Sequence, residues 1–400
     1  MRVMHVITRM IVGGAQENTL FNCLDLQRDF GDDVVLVTGP TDGPEGRLLE
    51  QGRGGALEIE IIPELIRSIR PLTDRAAYRQ LRLRIRNWRP DVVHTHSAKG
   101  GFLGRLAAWH EQVPAVIHTV HGAPFHPYQS FVARRLFRDC ERFAAKRCHA
   151  MISVADAMTD LMVDAGVASR DKFTTIYSGM DIEPFLAARQ ARDAARAEFG
   201  LADDDLVVGK VARLFRLKGH EDLVRAATET VRRHPRVRFL LVGDGTLRPA
   251  IEDQVRRAGL ERHFVFAGLV PPERVPYCMA AMDLLVHTSL REGLARTLPQ
   301  ALLTGIPVIS YDIDGAREVC LDGRTGVLVP PRDIPALVAA LDRLCGDAAG
   351  REAMGEAGRA LCRERFPHRL MTRRIRELYE RVLGDSGRAV ARVAGKKGLN

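Results

Sequence analysis

Short apolar runs alternate with amphipathic stretches along nearly the whole chain, and this alternation predicts strands and helices in turn. In the first half the strand-like runs are 2–7, 33–37, 57–62, 91–96, 115–120, 150–154 and 173–176, with helical patterns between them, notably 74–88 and 99–109. The pattern restarts at 206–211 and continues through 239–242, 264–266, 284–287, 308–311 and 326–329. Strands separated by helices predict parallel sheets of βαβ units, so the fold class is α/β. Residues 181–205, rich in Ala, Arg and Asp, carry no strand signal, which places an interdomain connection near 181–186. An amphipathic helix over 368–383 closes the pattern, and the Gly-, Ala- and Lys/Arg-rich 384–400 reads as a disordered basic tail.

Composition changes this picture little. A chain of 400 residues allows two to three domains with cores of their own. A hydrophobic fraction of 46% and a charged fraction of 27% are those of a soluble globular protein. No apolar run approaches the roughly 20 residues that span a bilayer, and the first residues lack a signal-peptide pattern. Seven scattered cysteines without a Cys-x-x-Cys pair suit reduced thiols in a cytosol.

Charge is more informative. The net charge is +9, but residues 65–147 alone hold 16 Lys or Arg against 5 Asp or Glu. Within them, 131–147 interleaves Phe131, Val132, Leu136, Phe137 and Phe143 with Arg134, Arg135, Arg138, Arg142, Lys146 and Arg147. A basic helix with an apolar face suits an anionic membrane surface. The plainer reading packs that face on the sheet. No nucleic-acid-binding motif accompanies the charge, which argues against nucleic acid as a partner.

Several strand ends carry candidate chemistry. After the run 284–287 comes a loop with one carboxylate, Glu292, then Gly293, Leu294 and Ala295, with a helix expected near Pro299. Backbone N–H groups at such a helix start favour an anion. A carboxylate beside a phosphate cradle suits a ligand with both hydroxyls and a diphosphate, such as a nucleotide sugar. Arg213 and Lys218 follow the strand 206–211 and could neutralise that diphosphate as it gains charge; solvated surface cations are the alternative. Gly13 and Gly14 after the first strand let backbone approach a ligand closely. Asp244, in Gly243-Asp244-Gly245, is either a turn residue or a contact near a nucleotide base. Gly315 permits a turn, and Glu318 opens or caps a short helix.

Five histidines also gather at strand ends: His94, His96, His118, His121 and His126. His-x-His is ligand-like, but no carboxylates accompany it, and no metal site is expected.

Taken in order, these blocks resemble the retaining glycosyltransferases of family 4 (glycosyl transferases group 1), which have the GT-B fold and two glutamates eight positions apart. The resemblance spans residues 1 to about 383. His-Thr-His-Ser-Ala-Lys-Gly-Gly from His94 and His-Thr-Val-His-Gly-Ala-Pro-Phe-His from His118 resemble a capsule and exopolysaccharide subgroup. The resemblance implies two Rossmann-like domains facing across a cleft: an acceptor-binding domain over 1–183 and a donor domain over 184–366. A helix over 367–383 would cross back to the first domain, ahead of the 384–400 tail.

It also implies roles. Glu292 would hold the donor sugar's hydroxyls, with Gly293, Leu294 and Ala295 beside it. Gln300 stands where the family has its second glutamate and would take the ribose, as an amide that still donates and accepts. Arg213 and Lys218 would bind the diphosphate, while Gly13, Gly14 and Asp244 complete the donor contacts. His121 matches an active-site histidine near the sugar, and His96, Ser97 and Lys99 fall at acceptor positions.

The implied activity is metal-independent retaining transfer of a hexosyl or N-acetylhexosaminyl group to a glycan or lipid-linked acceptor. A nucleotide-diphosphate sugar, UDP-linked by preference, serves as co-substrate and no cofactor is expected. The expected place is the cytoplasm, at the inner membrane face. A sugar-nucleotide epimerase of the same fold and a non-catalytic sugar-nucleotide-binding protein are the alternatives.

Overall fold

The computed structural model describes residues 1–41, 48–49 and 54–397, with 387–397 as backbone only. The chain divides into two compact units, Met1–Met180 with His368–Asn400, and Asp181–Pro367.

The first unit is built on β1 (Arg2–Ile7), β2 (Asp33–Thr38), β3 (Glu58–Ile61), β4 (Val92–His96), β5 (Ala115–Val120), β6 (Ala150–Ser153) and β7 (Phe173–Thr175). They form one parallel sheet in the order β3-β2-β1-β4-β5-β6-β7. Central strands are buried on both faces, as in parallel sheets covered by helices. The strand order reverses direction between β1 and β4, and residues at their C-terminal ends are placed side by side there. His5 lies opposite His94 in that register.

The second unit repeats the plan with β8 (Leu206–Val211), β9 (Val237–Val242), β10 (Phe264–Gly268), β11 (Leu284–His287), β12 (Val308–Tyr311) and β13 (Gly326–Val329). Their order is β10-β9-β8-β11-β12-β13, again parallel. Its reversal point lies between β8 and β11. Residues 181–205 form short helices, Glu183–Leu186 and Arg192–Glu198, rather than a strand. Asp283 holds the second of these to this unit, its oxygens 2.5 Å from Arg192 and 2.7 Å from Arg196.

The last helix, His368–Lys397, packs Met371, Ile375, Leu378 and Tyr379 into the first unit's core. Buried Asp25 accepts from His368 Nδ1 at 2.6 Å and from Thr372 Oγ1 at 3.0 Å, while Arg376 reaches Asp32 at 3.0 Å. This helix corrects the expected tail: it does not end at Leu383 but continues through Gly384 to Lys397. Each of its three glycines, Gly384, Gly387 and Gly395, costs about 1 kcal/mol in a helix, and the Ala and Arg residues between them favour helix. Residues 398–400 lie outside the described residues.

Candidate active site

The strand ends at the second unit's reversal point gather most of the expected donor-site residues. The loop after β8 carries Arg213 and Lys218, and the loop after β11 carries Glu292. Two left-handed residues, Leu217 at φ 67° and Gly219 at φ 62°, turn the first loop back on the second. A side chain at Gly219 would place its Cβ 2.0 Å from the Thr288 carbonyl oxygen, so only glycine allows this approach. Cross-ties then fix the pair of loops: Leu290 N–H donates to Leu217 O at 2.8 Å, and Thr288 Oγ1 donates to Gly219 O at 2.6 Å.

Within this frame Lys218 Nζ donates to Glu292 Oε1 in a close ion pair. His287 Nε2 lies 3.6 Å from the same oxygen. Burial opposes the Glu292 charge, but the Lys218 ammonium and then His287 overcome it, holding the carboxyl well below its ordinary range. Its side chain is 23% exposed, so the carboxylate is ionised and reachable from solvent. The Glu292 backbone N–H donates to Asp314 Oδ2 at 2.6 Å, and Gly315 N–H to Gly293 O at 3.2 Å. The segment after β12 therefore braces the Glu292 loop. Asp314 opens a 3-10 turn, Asp314–Glu318, which Glu318 ends rather than opens or caps at its start.

Gly293, Leu294 and Ala295 are buried directly after Glu292, and their N–H groups make no hydrogen bond among the described residues. The helix that follows is Thr297–Leu303, which starts slightly earlier than expected. Gln300 is half-buried on it, and its carboxamide makes no hydrogen bond among the described residues.

Arg213 lies with its guanidinium carbon 5.2 Å from the Phe215 ring centre, and its carbonyl accepts from His220 Nε2 at 3.1 Å. Asp244 sits close by in sequence register: Leu214 N–H donates to Asp244 O at 2.9 Å. That approach needs Gly243, whose φ is 133° and whose Cβ would stand 2.2 Å from Ala212 O. The Asp244 carboxylate itself accepts from Gly245 N–H at 2.7 Å and Arg248 Nη1 at 2.8 Å, which together hold it below its ordinary range. Its local bonds are those of a turn residue.

Two residues of this cluster escaped the sequence reading. Lys210, in β8, is fully buried and donates to Thr288 Oγ1 at 2.6 Å. Burial, then neighbouring Lys218, pull its pKa down to about 7. His287 ends β11 and braces Glu292. Both lie inside apolar strand patterns, where a single polar residue reads as noise; a lysine inside a buried strand was the available signal.

In the first unit the histidines separate into two groups. His5, His94 and His96 project from one face of the sheet, with His94 and His96 ring centres 4.2 Å apart. His121, after β5, joins them through Nε2, 3.1 Å from His96 Nδ1. His118 lies on the opposite face, bonded to Thr95 Oγ1 at 2.9 Å and 3.8 Å from Glu141. His5 was not anticipated, because only the β1–β4 register brings it beside His94.

His5, His94 and His96 could geometrically bracket a cation. Their nitrogens are otherwise engaged. His94 bonds Tyr379 OH at 2.5 Å and Thr119 Oγ1 at 2.7 Å, and His96 bonds His5 and His121. Only His5 Nε2 has no partner among the described residues.

The expected acceptor residues are held within the unit. His96 is fully buried, with its ring nitrogens bonded to His5 and His121. Ser97 Oγ is 2.7 Å from Thr8 Oγ1, and Lys99 Nζ is 2.5 Å from Asp74 and bonded to Ser68 O. Gly13 caps the helix Gly14–Phe30, with six residues between β1 and that helix rather than a direct turn.

Comparison with known proteins identifies the family. The model of glycosyl transferases group 1 matches residues 191–361, and that of glycosyltransferase family 4 matches residues 12–184. The chain belongs to this glycosyltransferase family. Its curated relatives include an Escherichia coli UDP-Gal:alpha-D-GlcNAc-diphosphoundecaprenol alpha-1,3-galactosyltransferase, 29% identical over 72% of this chain and 74% of that protein. A Streptomyces fradiae 2-deoxystreptamine N-acetyl-D-glucosaminyltransferase is 30% identical over 66% of this chain and 63% of that protein. Among solved structures, Anabaena HepE in complex with UDP aligns with a TM-score of 0.80 at 23% identity, covering 95% of this chain and 100% of that one. The sucrose-phosphate synthase of Thermosynechococcus elongatus aligns with a TM-score of 0.81 at 21% identity, over 96% and 100%. The fold of this glycosyltransferase is therefore GT-B, with seven- and six-stranded Rossmann-like sheets.

Proposed function

We propose that this glycosyltransferase is retaining and metal-independent, and moves a hexosyl or N-acetylhexosaminyl group from a UDP-sugar to a lipid-linked or glycan acceptor in cell-surface polysaccharide synthesis. The convergence of Lys218 and Glu292 at one strand crossover, beside the N–H groups of Gly293 to Ala295, carries this reading. It supplies one cation, one carboxylate and a run of donors, which are the groups that a diphosphate linked to a sugar needs.

Lys218 and Arg213 take the diphosphate, and the three N–H groups add donors where charge develops as the glycosidic bond breaks. Glu292 accepts from sugar hydroxyls and Gln300 from the ribose. His121, in the first unit, orders the sugar and acceptor. The departing diphosphate takes the acceptor proton on the face it leaves, so no side chain is assigned as base. UDP as carrier draws on the Escherichia coli relative, whose own name carries UDP-Gal.

Acceptor delivery at a membrane draws on the helix Phe131–Ala145. Phe131, Val132 and Leu136 are 76%, 74% and 55% exposed, so they do not pack on the sheet. Arg134, Arg135 and Arg138 lie among them, and this basic, apolar surface complements an anionic bilayer. No described helix is long and apolar enough to cross one.

The test is turnover. The protein is incubated with UDP-galactose, UDP-glucose and UDP-N-acetylglucosamine, with EDTA, with and without a short-chain lipid-diphosphate sugar acceptor. Acceptor-dependent UDP release and an α-linked product are expected. A β-linked product or a strict metal requirement overturns the mechanism. Donor interconversion without acceptor would identify an epimerase, and UDP-sugar binding without turnover a binding protein, a reading open because Gln300 replaces the family's second glutamate.

A further inference from the structure

His121 does not stand alone. Its Nε2 lies 3.1 Å from His96 Nδ1, and His96 Nε2 lies 3.0 Å from His5 Nδ1. The chain ends inside the protein at His5 Nε2, which is buried and has no partner among the described residues. Each ring–ring hydrogen bond holds one proton, and each neutral imidazole carries one. Three rings in series therefore have two proton arrangements. In one, all three protons sit on Nδ1. In the other, all three sit on Nε2, and His5 Nε2–H becomes a buried donor without an acceptor. A buried N–H without an acceptor forfeits the hydrogen bond it had to water, so the arrangement that leaves only a lone pair at His5 Nε2 is favoured. Burial keeps His5 and His96 neutral, with His5 pulled down to about 3, so the count of one proton on each of these two rings holds.

We propose that His5 and His96 are positioning residues that fix His121 as its Nδ1-protonated tautomer. Beyond His96, any hydrogen bond His121 makes through a ring proton is made by a donor at Nδ1. Its Nε2 lone pair is committed to His96, so His121 acts as a donor to oxygen and not as a base through Nε2. Protonating His121 fully would reverse both inner rings and create the orphan donor at His5. The functional consequence rests on the assignment of His121 to the sugar.

The test uses full-length protein labelled with ¹⁵N-histidine and two-bond ¹H–¹⁵N correlation, with signals assigned by single substitutions. All three rings are expected to carry their proton on Nδ1, opposite to the usual preference of histidine in water. A proton on Nε2 of His121, His96 or His5 overturns the proposal. Two variants connect it to activity. His5→Gln can still donate to His96, and should keep the His121 tautomer and transfer within about twofold. Once ionised, the carboxylate of His5→Glu offers His96 only an acceptor; at pH values where it is ionised, this variant should invert His96 and His121 to Nε2-protonated and lower transfer at least tenfold. If the inversion occurs and transfer is unchanged, the tautomer assignment stands and the place of His121 at the sugar falls. If His5→Glu fails to fold, the wild-type spectrum still decides the tautomer.

Discussion

Lys218 and Glu292, 74 residues apart, are bonded to each other through Nζ and Oε1. The cation assigned to the diphosphate and the carboxylate assigned to the sugar therefore neutralise one another before any donor arrives. A bound diphosphate would draw Lys218 away and leave the carboxylate for sugar hydroxyls, so the pair keeps both groups ionised and aimed at one place.

Lys218→Ala removes the charge that matters most as the leaving group departs. Removing one such electrostatic contact costs about 100- to 1,000-fold in kcat. A loss of that size, with a smaller rise in donor KM, is expected in initial-rate measurements. Unchanged turnover would show that the diphosphate is bound elsewhere.

Lys210 links pH to stability. Its folded pKa is about 7 against 10.5 for the ordinary group, so the unfolded chain binds the extra proton between those values. Stability from this group therefore rises with pH across that window, and its penalty is fully present below pH 7. Lys210→Met should be more stable than the parent at pH 6, on the order of 1 kcal/mol or more, with the gap shrinking by pH 9. Urea midpoints at the two pH values measure it, and a gap that widens with pH contradicts the assignment.

Gln300→Glu restores a charged acceptor at the position assigned to the ribose. A hydrogen bond to an ionised group exceeds a neutral one by roughly 1 kcal/mol, or about fivefold in affinity. Calorimetric titration with UDP should show that gain. No change would remove Gln300 from the nucleotide site.

Gly219→Ala forces a side chain against the Thr288 carbonyl at a left-handed residue. Such strain costs of order 1–3 kcal/mol. It also separates the loops that carry Lys218 and Glu292, so activity should fall further than melting temperature alone explains. Gly259, also left-handed at φ 67° but with no atom within 4 Å of an added Cβ, is the control.

For the helix Phe131–Ala145, the double change Phe131→Ser and Leu136→Ser should release the protein from vesicles rich in anionic lipid. Co-sedimentation at low and high salt separates the apolar part from the charge of Arg134, Arg135 and Arg138. Equal pelleting of parent and variant would contradict a bilayer contact.

Most of the fold was legible because most strands are short, largely apolar runs bounded by turn residues, as parallel strands buried on both faces tend to be; the edge strands β3 and β7 are more polar and less buried. Lys218 and Glu292 were legible as charged residues just past such runs. What could not be read locally were pairings across the sheet. His5 looks like one polar residue inside β1 until the register sets it against His94. Lys210 likewise gains meaning only from Thr288 on a distant loop. The direction of the apolar face on Phe131–Ala145 was likewise not set by pattern, whereas the continuation of the last helix past Gly384 follows the helix-favouring Ala and Arg residues that the glycines had masked.

The most direct measurement is the melting temperature of parent and Lys218→Ala with UDP, GDP or ADP, each with and without EDTA. A nucleotide at a hundredfold excess over its Kd adds about 2.7 kcal/mol, several degrees for domains of this size. The account expects UDP to give such a shift in the parent, unaffected by EDTA and largely lost in Lys218→Ala. No shift with UDP, a shift abolished by EDTA, or an equal shift in the variant would contradict it.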